Sequence, residues 1–244
     1  MSKFREDLGK MKGMRAGEVV EHIWSYYRFH LLVLVISIAF LIFLLHAIAG
    51  PKVETVFSAI LVDTGAGEEV TERLTSDFGA VLNLDERSQR VTFDTTSVLG
   101  DNAVTALQML VMRVIAGEAD VFLCNTDIVN YLLKSGALSD LAEILPEKTL
   151  EQWNGLLIYV DADALAAWTE ANNAGDFQEV DLISDSPEGM SRPVPVGMDV
   201  TEACRTALGR AEDTGKLYCV ASVTTTHPES IAGFLDYLRS TGSP

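Results

Sequence analysis

Leu31 to Ala49 reads LLVLVISIAFLIFLLHAIA, nineteen residues in which His46 is the only strongly polar side chain. A helix of ~20 mainly apolar residues crosses a bilayer core of ~30 Å, so this run predicts a single transmembrane helix over 31–49, with the lipid bilayer as its partner. Trp24, Tyr26 and Tyr27 come just before it, where aromatic rings favour the membrane interface. Residues 14–30, MRAGEVVEHIWSYYRFH, place Val19, Val20, Ile23, Trp24 and Tyr27 on one helical face. That face reads as an interfacial amphipathic segment, or as a docking surface for a cytoplasmic partner.

The formal net charge of −17 divides unevenly about this run. Residues 1–30 carry six basic and four acidic side chains, whereas the chain from Gly50 onward carries 12 basic and 31 acidic ones. Basic flanks stay on the cytoplasmic side. The expected arrangement is therefore a cytoplasmic segment over 1–30, one pass through the cell membrane, and an extracellular domain over 50–244. A cleaved signal peptide is the alternative, because Ala47-Ile48-Ala49 before Gly50 fits a small-x-small cleavage site. Against it, both the leading stretch and the apolar run exceed the dimensions usual for a signal. An acidic outer domain excludes nucleic acid as a partner, since phosphate binding is driven by clustered Lys and Arg.

The 195 residues from Gly50 to Pro244 alternate between β-rich runs and helical periods. Strands are expected over Val56–Val62, Val91–Thr95, Ala119–Cys124, Leu156–Val160, Val194–Met198 and Lys216–Val223. Helices are expected over Glu68–Leu82, Ala103–Ala116 (capped by Asp101), Asp127–Ser135, Ala162–Ala174 and Thr201–Leu208. The polar stretch Glu170–Arg192 reads as a surface excursion. Thr226-His227-Pro228-Glu229 reads as a capping box opening a last helix, with Ile231, Phe234, Leu235 and Leu238 on its apolar face. Strands separated by helices of this length predict βαβ crossovers, hence an α/β domain with a mostly parallel sheet flanked by helices on both faces.

Residues 116–147, AGEADVFLCNTDIVNYLLKSGALSDLAEILPE, resemble the extracellular solute-binding proteins of bacterial ABC importers. The matching features are a small-Gly-x-x-Asp-Val strand, a helix, and the turn Gly136-Ala137-Leu138-Ser139-Asp140-Leu141. The ending VASVTTTHPESIAGFLDYLRS resembles the last strand and helix of the same family, and the WSYYRFH-led apolar run is similar to that of membrane-anchored extracytoplasmic proteins. The resemblance implies one lobe of a periplasmic-binding-protein-like fold, with capture or sensing of a small-molecule ligand, or service as an accessory to a membrane transporter. Two complete lobes need more than 195 residues, so the second lobe is expected to be reduced or absent. A second reading is an interaction module that has lost its ligand and acts with an envelope protein.

Ligands of open α/β sheets bind beyond the carboxyl ends of the strands. Those ends nominate Asp63 and Thr64 (followed by Gly65), Asp94 (followed by Thr95 and Thr96), and Asn125, Thr126 and Asp127. The same residue types are common caps and turn formers. Asp161-Ala162-Asp163 reads as a helix cap or as paired carboxylates. His227 is the only histidine after Gly50, so a hydrolase would depend on it. No nucleophile elbow, Walker motif, Cys-x-x-Cys or His-Glu-x-x-His occurs. The expectation is therefore a non-enzyme without metal or cofactor. Cys204 and Cys219 are candidates for a disulfide outside the cytosol, leaving Cys124 as the odd thiol.

Overall fold

The structure is a computed structural model that describes residues 16–49, 53–85, 87–97, 102–176, 180–209 and 215–242. The chain divides into two compact units, residues 1–52 and residues 53–244. In the first unit, α1 runs without a break from Ala16 to Ala49. Its 34 residues are about 51 Å long at 1.5 Å per residue. The amphipathic stretch and the apolar run are thus one helix, not two segments. Over Arg28–Leu45 the mean hydropathy is 2.6, and none of that window is buried within the protein.

In the second unit the elements are β1 (Glu54–Val62), α2 (Glu68–Val81), β2 (Gln89–Thr96), α3 (Ala103–Ile115), β3 (Val121–Cys124), α4 (Thr126–Lys134), α5 (Leu141–Ile144), α6 (Glu147–Gln152), β4 (Leu157–Asp161), α7 (Ala162–Asn173), β5 (Ile183–Ser184), β6 (Pro193–Asp199), α8 (Thr201–Leu208), β7 (Tyr218–Ala221) and α9 (Pro228–Gly242). Seven strands form one sheet in the order β2-β1-β3-β7-β6-β4-β5. The sheet has two apolar cores, one on each face, because successive strand side chains alternate. On β1, Phe57, Ala59 and Leu61 join one core with Leu74 and Phe78 of α2 and Phe234 of α9. Ile60 and Val62 join the other core with Leu110 and Val114 of α3 and with α4.

The sheet is mixed, which corrects the expectation of a mostly parallel one. Among the described strands, only β1–β2 and β1–β3 are parallel. The pairs β3–β7, β7–β6, β6–β4 and β4–β5 are antiparallel. A run buried on both faces looks the same in either direction, so periodicity carries no strand polarity. Parallel order follows only where consecutive strands return through crossovers to one side of the sheet, as β1, β2 and β3 do. Thereafter β7 inserts between β3 and β6 and runs against both.

Two local expectations also shift. The stretch read as a surface excursion contains β5, which pairs with β4 through Tyr159–Ser184 and Val160–Ile183. At the start of α9, the carbonyl of His227 accepts from the Ile231 N–H. The hydroxyl that serves this turn is Thr225, accepting from the His227 N–H at 3.3 Å, rather than Thr226. Asp101, the expected cap of α3, lies outside the described residues.

Candidate functional site

Strand directions gather one end of the sheet from the carboxyl ends of β1, β2, β3 and β6 and the amino ends of β4 and β7. Among the described residues, two clefts open near this end. The first, of about 360 Å³, lies at the ends of β1 and β2 and is lined by Asp63, Thr64, Gly65 and Thr95–Ser97. Its floor is a sharp turn. Asp63 has φ of 51° and Gly65 of 73°, both left-handed, a region costly for most side chains but tolerated by Asp. The Ser97 hydroxyl donates to Asp63 Oδ1 at 2.9 Å, and buried Thr64 accepts from the Ala66 N–H at 3.3 Å.

The second cleft, of about 430 Å³, lies beyond β6, β4 and β7 on the α8–α9 side. Trp153, Leu156, Asp199, Glu202, Lys216 and Arg239 are among its walls. Thr201 holds the strand ends together: its N–H donates to Asp199 Oδ1 at 3.0 Å, and its hydroxyl accepts from the Leu217 N–H at 2.9 Å. Lys216 donates to Asp185 at 2.6 Å and lies 3.9 Å from Asp199. The Asp185 hydrogen bond holds the Lys216 ammonium above its ordinary range. Trp153 is 2% exposed, and its indole N–H is buried without a hydrogen-bond partner. A buried donor left unpaired costs roughly 1–3 kcal/mol.

Of the six residues nominated from the sequence, the structure brings Asp63 and Thr64 together in the first cleft. The other four line neither cleft. Asp94 is exposed and forms an ion pair with Arg113 of α3. Asn125 caps α4, its Oδ1 accepting from the Ile128 N–H at 3.1 Å. Thr126 is half-buried at the start of α4 near Tyr218, whose phenol is pushed up by burial. Asp127 stands exposed in the first turn of α4.

Asp161 and Asp163 sit at the opposite end of the sheet, because β4 runs downward relative to β1. Asp161 caps α7 by accepting from the Asp163 N–H at 3.0 Å, and it also accepts from the Ser191 N–H at 2.8 Å. These backbone donors, that of Ser191 foremost, lower its carboxyl to about 2. The pair therefore ties the Ser191–Arg192 turn to the start of α7. Among the described residues no group of three or more His, Cys, Asp or Glu is placed to hold a metal.

Sequence reasoning missed a buried polar knot around Asp120, at the amino end of β3. Asp120 is 5% exposed. Its Oδ2 accepts from the Ser58 N–H at 2.8 Å, and its Oδ1 accepts from the Thr225 hydroxyl at 2.6 Å. His227 Nδ1 lies 3.1 Å from the same Oδ1. The Asp120 carboxylate thus joins β1, β3 and the start of α9. The available signal was an acid set directly before a strand, Val121–Cys124, that is buried throughout. Thr226 Oγ1 lies 3.5 Å from His227 Nε2, at the outer limit of a hydrogen bond. No disulfide joins Cys204 and Cys219, contrary to the candidate pairing. All three cysteines are buried thiols, and burial pushes the Cys124 and Cys219 thiols far up, which makes them inert.

No family model matches the chain, and no curated protein matches it. Among solved structures it is similar to a periplasmic binding protein, P5PA, at 14% identity and a TM-score of 0.34, covering 75% of this chain and 79% of that one. It is also similar to an ABC substrate-binding protein of Listeria monocytogenes in complex with cycloalternan, at 13% identity and a TM-score of 0.24, covering 52% of this chain and 35% of that one. A third is the maltose-binding periplasmic protein of the same organism in complex with maltose, at 19% identity and a TM-score of 0.24. There the match covers 46% of this chain and 31% of the other, so the chain spans about a third of the length of both Listeria proteins. The structural neighbours of this mixed α/β chain are periplasmic and ABC substrate-binding proteins.

Proposed function

We propose that the protein is a membrane-anchored, extracytoplasmic binding protein that captures or senses a small polar molecule and performs no catalysis. Anchoring is supported by the exposed apolar helix α1 with basic residues ahead of it and a strongly acidic unit behind it. Ligand binding is supported by one observation above the others: a cleft near the carboxyl ends of the strands with Trp153 and charged side chains of both signs in its wall. Lys216 and Arg239 with Asp199 and Glu202 offer both signs of charge to the polar groups of a ligand seated there.

The test is thermal unfolding of the full chain in detergent micelles with sugars, amino acids, short peptides or divalent metals. A ligand at 100 times its Kd adds about 2.7 kcal/mol to the native state, so a true ligand raises the midpoint clearly. Lys216→Gln removes a charge from the cleft wall at an exposed side chain. It is expected to unfold at a similar temperature alone and to lose the ligand's shift. If no probe raises the midpoint at millimolar concentration, ligand capture is wrong. The anchoring is checked separately by adding protease outside intact cells stripped of any outer barrier. Removal of the unit after Gly50 is the expected result, and full protection of that unit overturns the orientation.

The second reading, an interaction module, is favoured by a different observation. Among the described residues of the domain, the most exposed large apolar side chains are gathered on α3, where Val104, Met109, Met112 and Ile115 are 59–69% exposed.

A further inference from the structure

The two edges of the sheet are finished differently. At one edge β5 is two residues long, one of the ordinary ways to blunt an edge against pairing. At the other edge β2 is eight residues long, QRVTFDTT, with no proline and no lysine. The register irregularity in its pairing with β1 falls on the β1 side, between Thr55 and Phe57, so β2 itself is continuous. Among the described residues no strand pairs with its outer side. That side opens into a groove of about 870 Å³ between β2 and α2, lined on the helix by small residues including Ser76, Gly79 and Ala80.

The backbone parity of β2 is fixed at both ends. The Ser88 carbonyl accepts from the Glu54 N–H at 2.8 Å, and the Thr96 carbonyl accepts from the Asp63 N–H at 3.0 Å. Even-numbered residues of this unbroken strand therefore turn their amide groups toward β1. Odd-numbered residues, Gln89, Val91, Phe93 and Thr95, turn theirs outward. Side chains sort the other way about: Val91 and Phe93 are buried under α2, while Arg90 and Asp94 are exposed on the α3 side.

We infer that β2 pairs antiparallel with β2 of a second copy of this chain, about a twofold axis through Thr92. Only odd residues can exchange hydrogen bonds at this edge, and a twofold at Thr92 sets Val91 opposite the partner copy's Phe93, odd against odd. The same axis sets Arg90 opposite Asp94 and Thr92 opposite Thr92 as non-hydrogen-bonded pairs, the closer kind, with Cα atoms about 4.5 Å apart. Opposite charges and Thr–Thr contacts are both favourable across antiparallel strands. The strand is thus self-complementary in backbone, charge and apolar face at one register, as a closed isologous dimer requires. Asp94 is already held by Arg113, which fixes its carboxylate at the edge and ties in α3, the helix that carries the exposed apolar side chains.

The test uses full-length protein in micelles under mild oxidant, with cysteine placed at the axis or away from it. Cα atoms 4.5 Å apart lie within the range a disulfide spans, so Thr92→Cys is expected to cross-link to a species of twice the 26.6 kDa chain mass. Gln89→Cys is the control, because two copies of residue 89 would lie about 20 Å apart along the strands. The Thr92→Cys dimer should form at least tenfold faster than the Gln89→Cys one. Adding Arg90→Glu, which sets acid against Asp94 at two symmetric places, should slow it several-fold. The native thiols are buried and do not compete. Equal rates at 92 and 89, no cross-link at 92, or a rate indifferent to Arg90→Glu would each overturn the dimer. A ligand failure at the Trp153 cleft leaves these rates untouched, so the two proposals fail separately.

Discussion

Replacing Phe234 by alanine is expected to remove about 4 kcal/mol of stability, enough to lower the unfolding midpoint by roughly 8–16 °C in a domain of this size. Phe234 is fully buried on α9. Its ring centroid lies 5.0 Å from Phe57 of β1, 5.4 Å from Phe78 of α2 and 5.5 Å from Phe93 of β2. Those three rings also pack on one another, with centroids 5.0–6.2 Å apart. Removing Phe234 therefore opens a cavity at the meeting point of three elements, and rigid strands on one side limit its collapse. Phe234→Leu keeps most of the volume and should lose about 1 kcal/mol. Chemical or thermal denaturation measures both. An alanine variant within 1 kcal/mol of the parent would show that the ring cluster contributes little.

Asp120→Ala should lose about 3 kcal/mol, nearly as much as the large apolar deletion although far fewer atoms are removed. The loss has a different origin. The Ser58 N–H and the Thr225 hydroxyl would both be left inside the protein without their acceptor, at roughly 1–3 kcal/mol each less what the Thr225 hydroxyl recovers by rotating. Asp120→Asn retains one acceptor oxygen and sets an amide NH₂ against one of the two donors, so it should recover only part of the loss. Midpoints of the three proteins, read at one pH, distinguish this account from simple loss of packing volume. Equal stability of the Asn and Ala variants would sink it.

Much of the local structure was legible in the sequence, and the reasons are physical. The strand core of β1 shows because VFSAILV is β-rich and ends at a turn, and α8 shows as a short helix between two strands. Strand direction was not legible. Leu157–Val160 and Tyr218–Val220 are buried on both faces, and such a run has no polarity that side-chain period can report. Of the two clefts, only the first holds residues nominated from the sequence: Asp63 and Thr64 were named because turn residues follow β1 directly. Trp153, Asp199, Lys216 and Arg239 come from four separate segments, and only the reversed strands β4 and β7 bring them together. Asp120 was hidden for a related reason: its donors Ser58 and Thr225 lie 62 and 105 residues away. Asn125, Thr126 and Asp127 were equally visible as caps or as ligand contacts, and the structure uses Asn125 as the cap of α4.

The contact between Phe57 and Phe234 also sets a clock. The two rings are 177 residues apart in the chain. At a synthesis rate of roughly 5–20 residues per second, β1 waits about 10–35 s for the helix that covers it. Throughout that interval Phe57, Phe78 and Phe93 share an uncovered apolar surface beside the unpaired edge of β2. Any factor that shields this half during its emergence would have to hold it until the last fifteen-residue helix arrives.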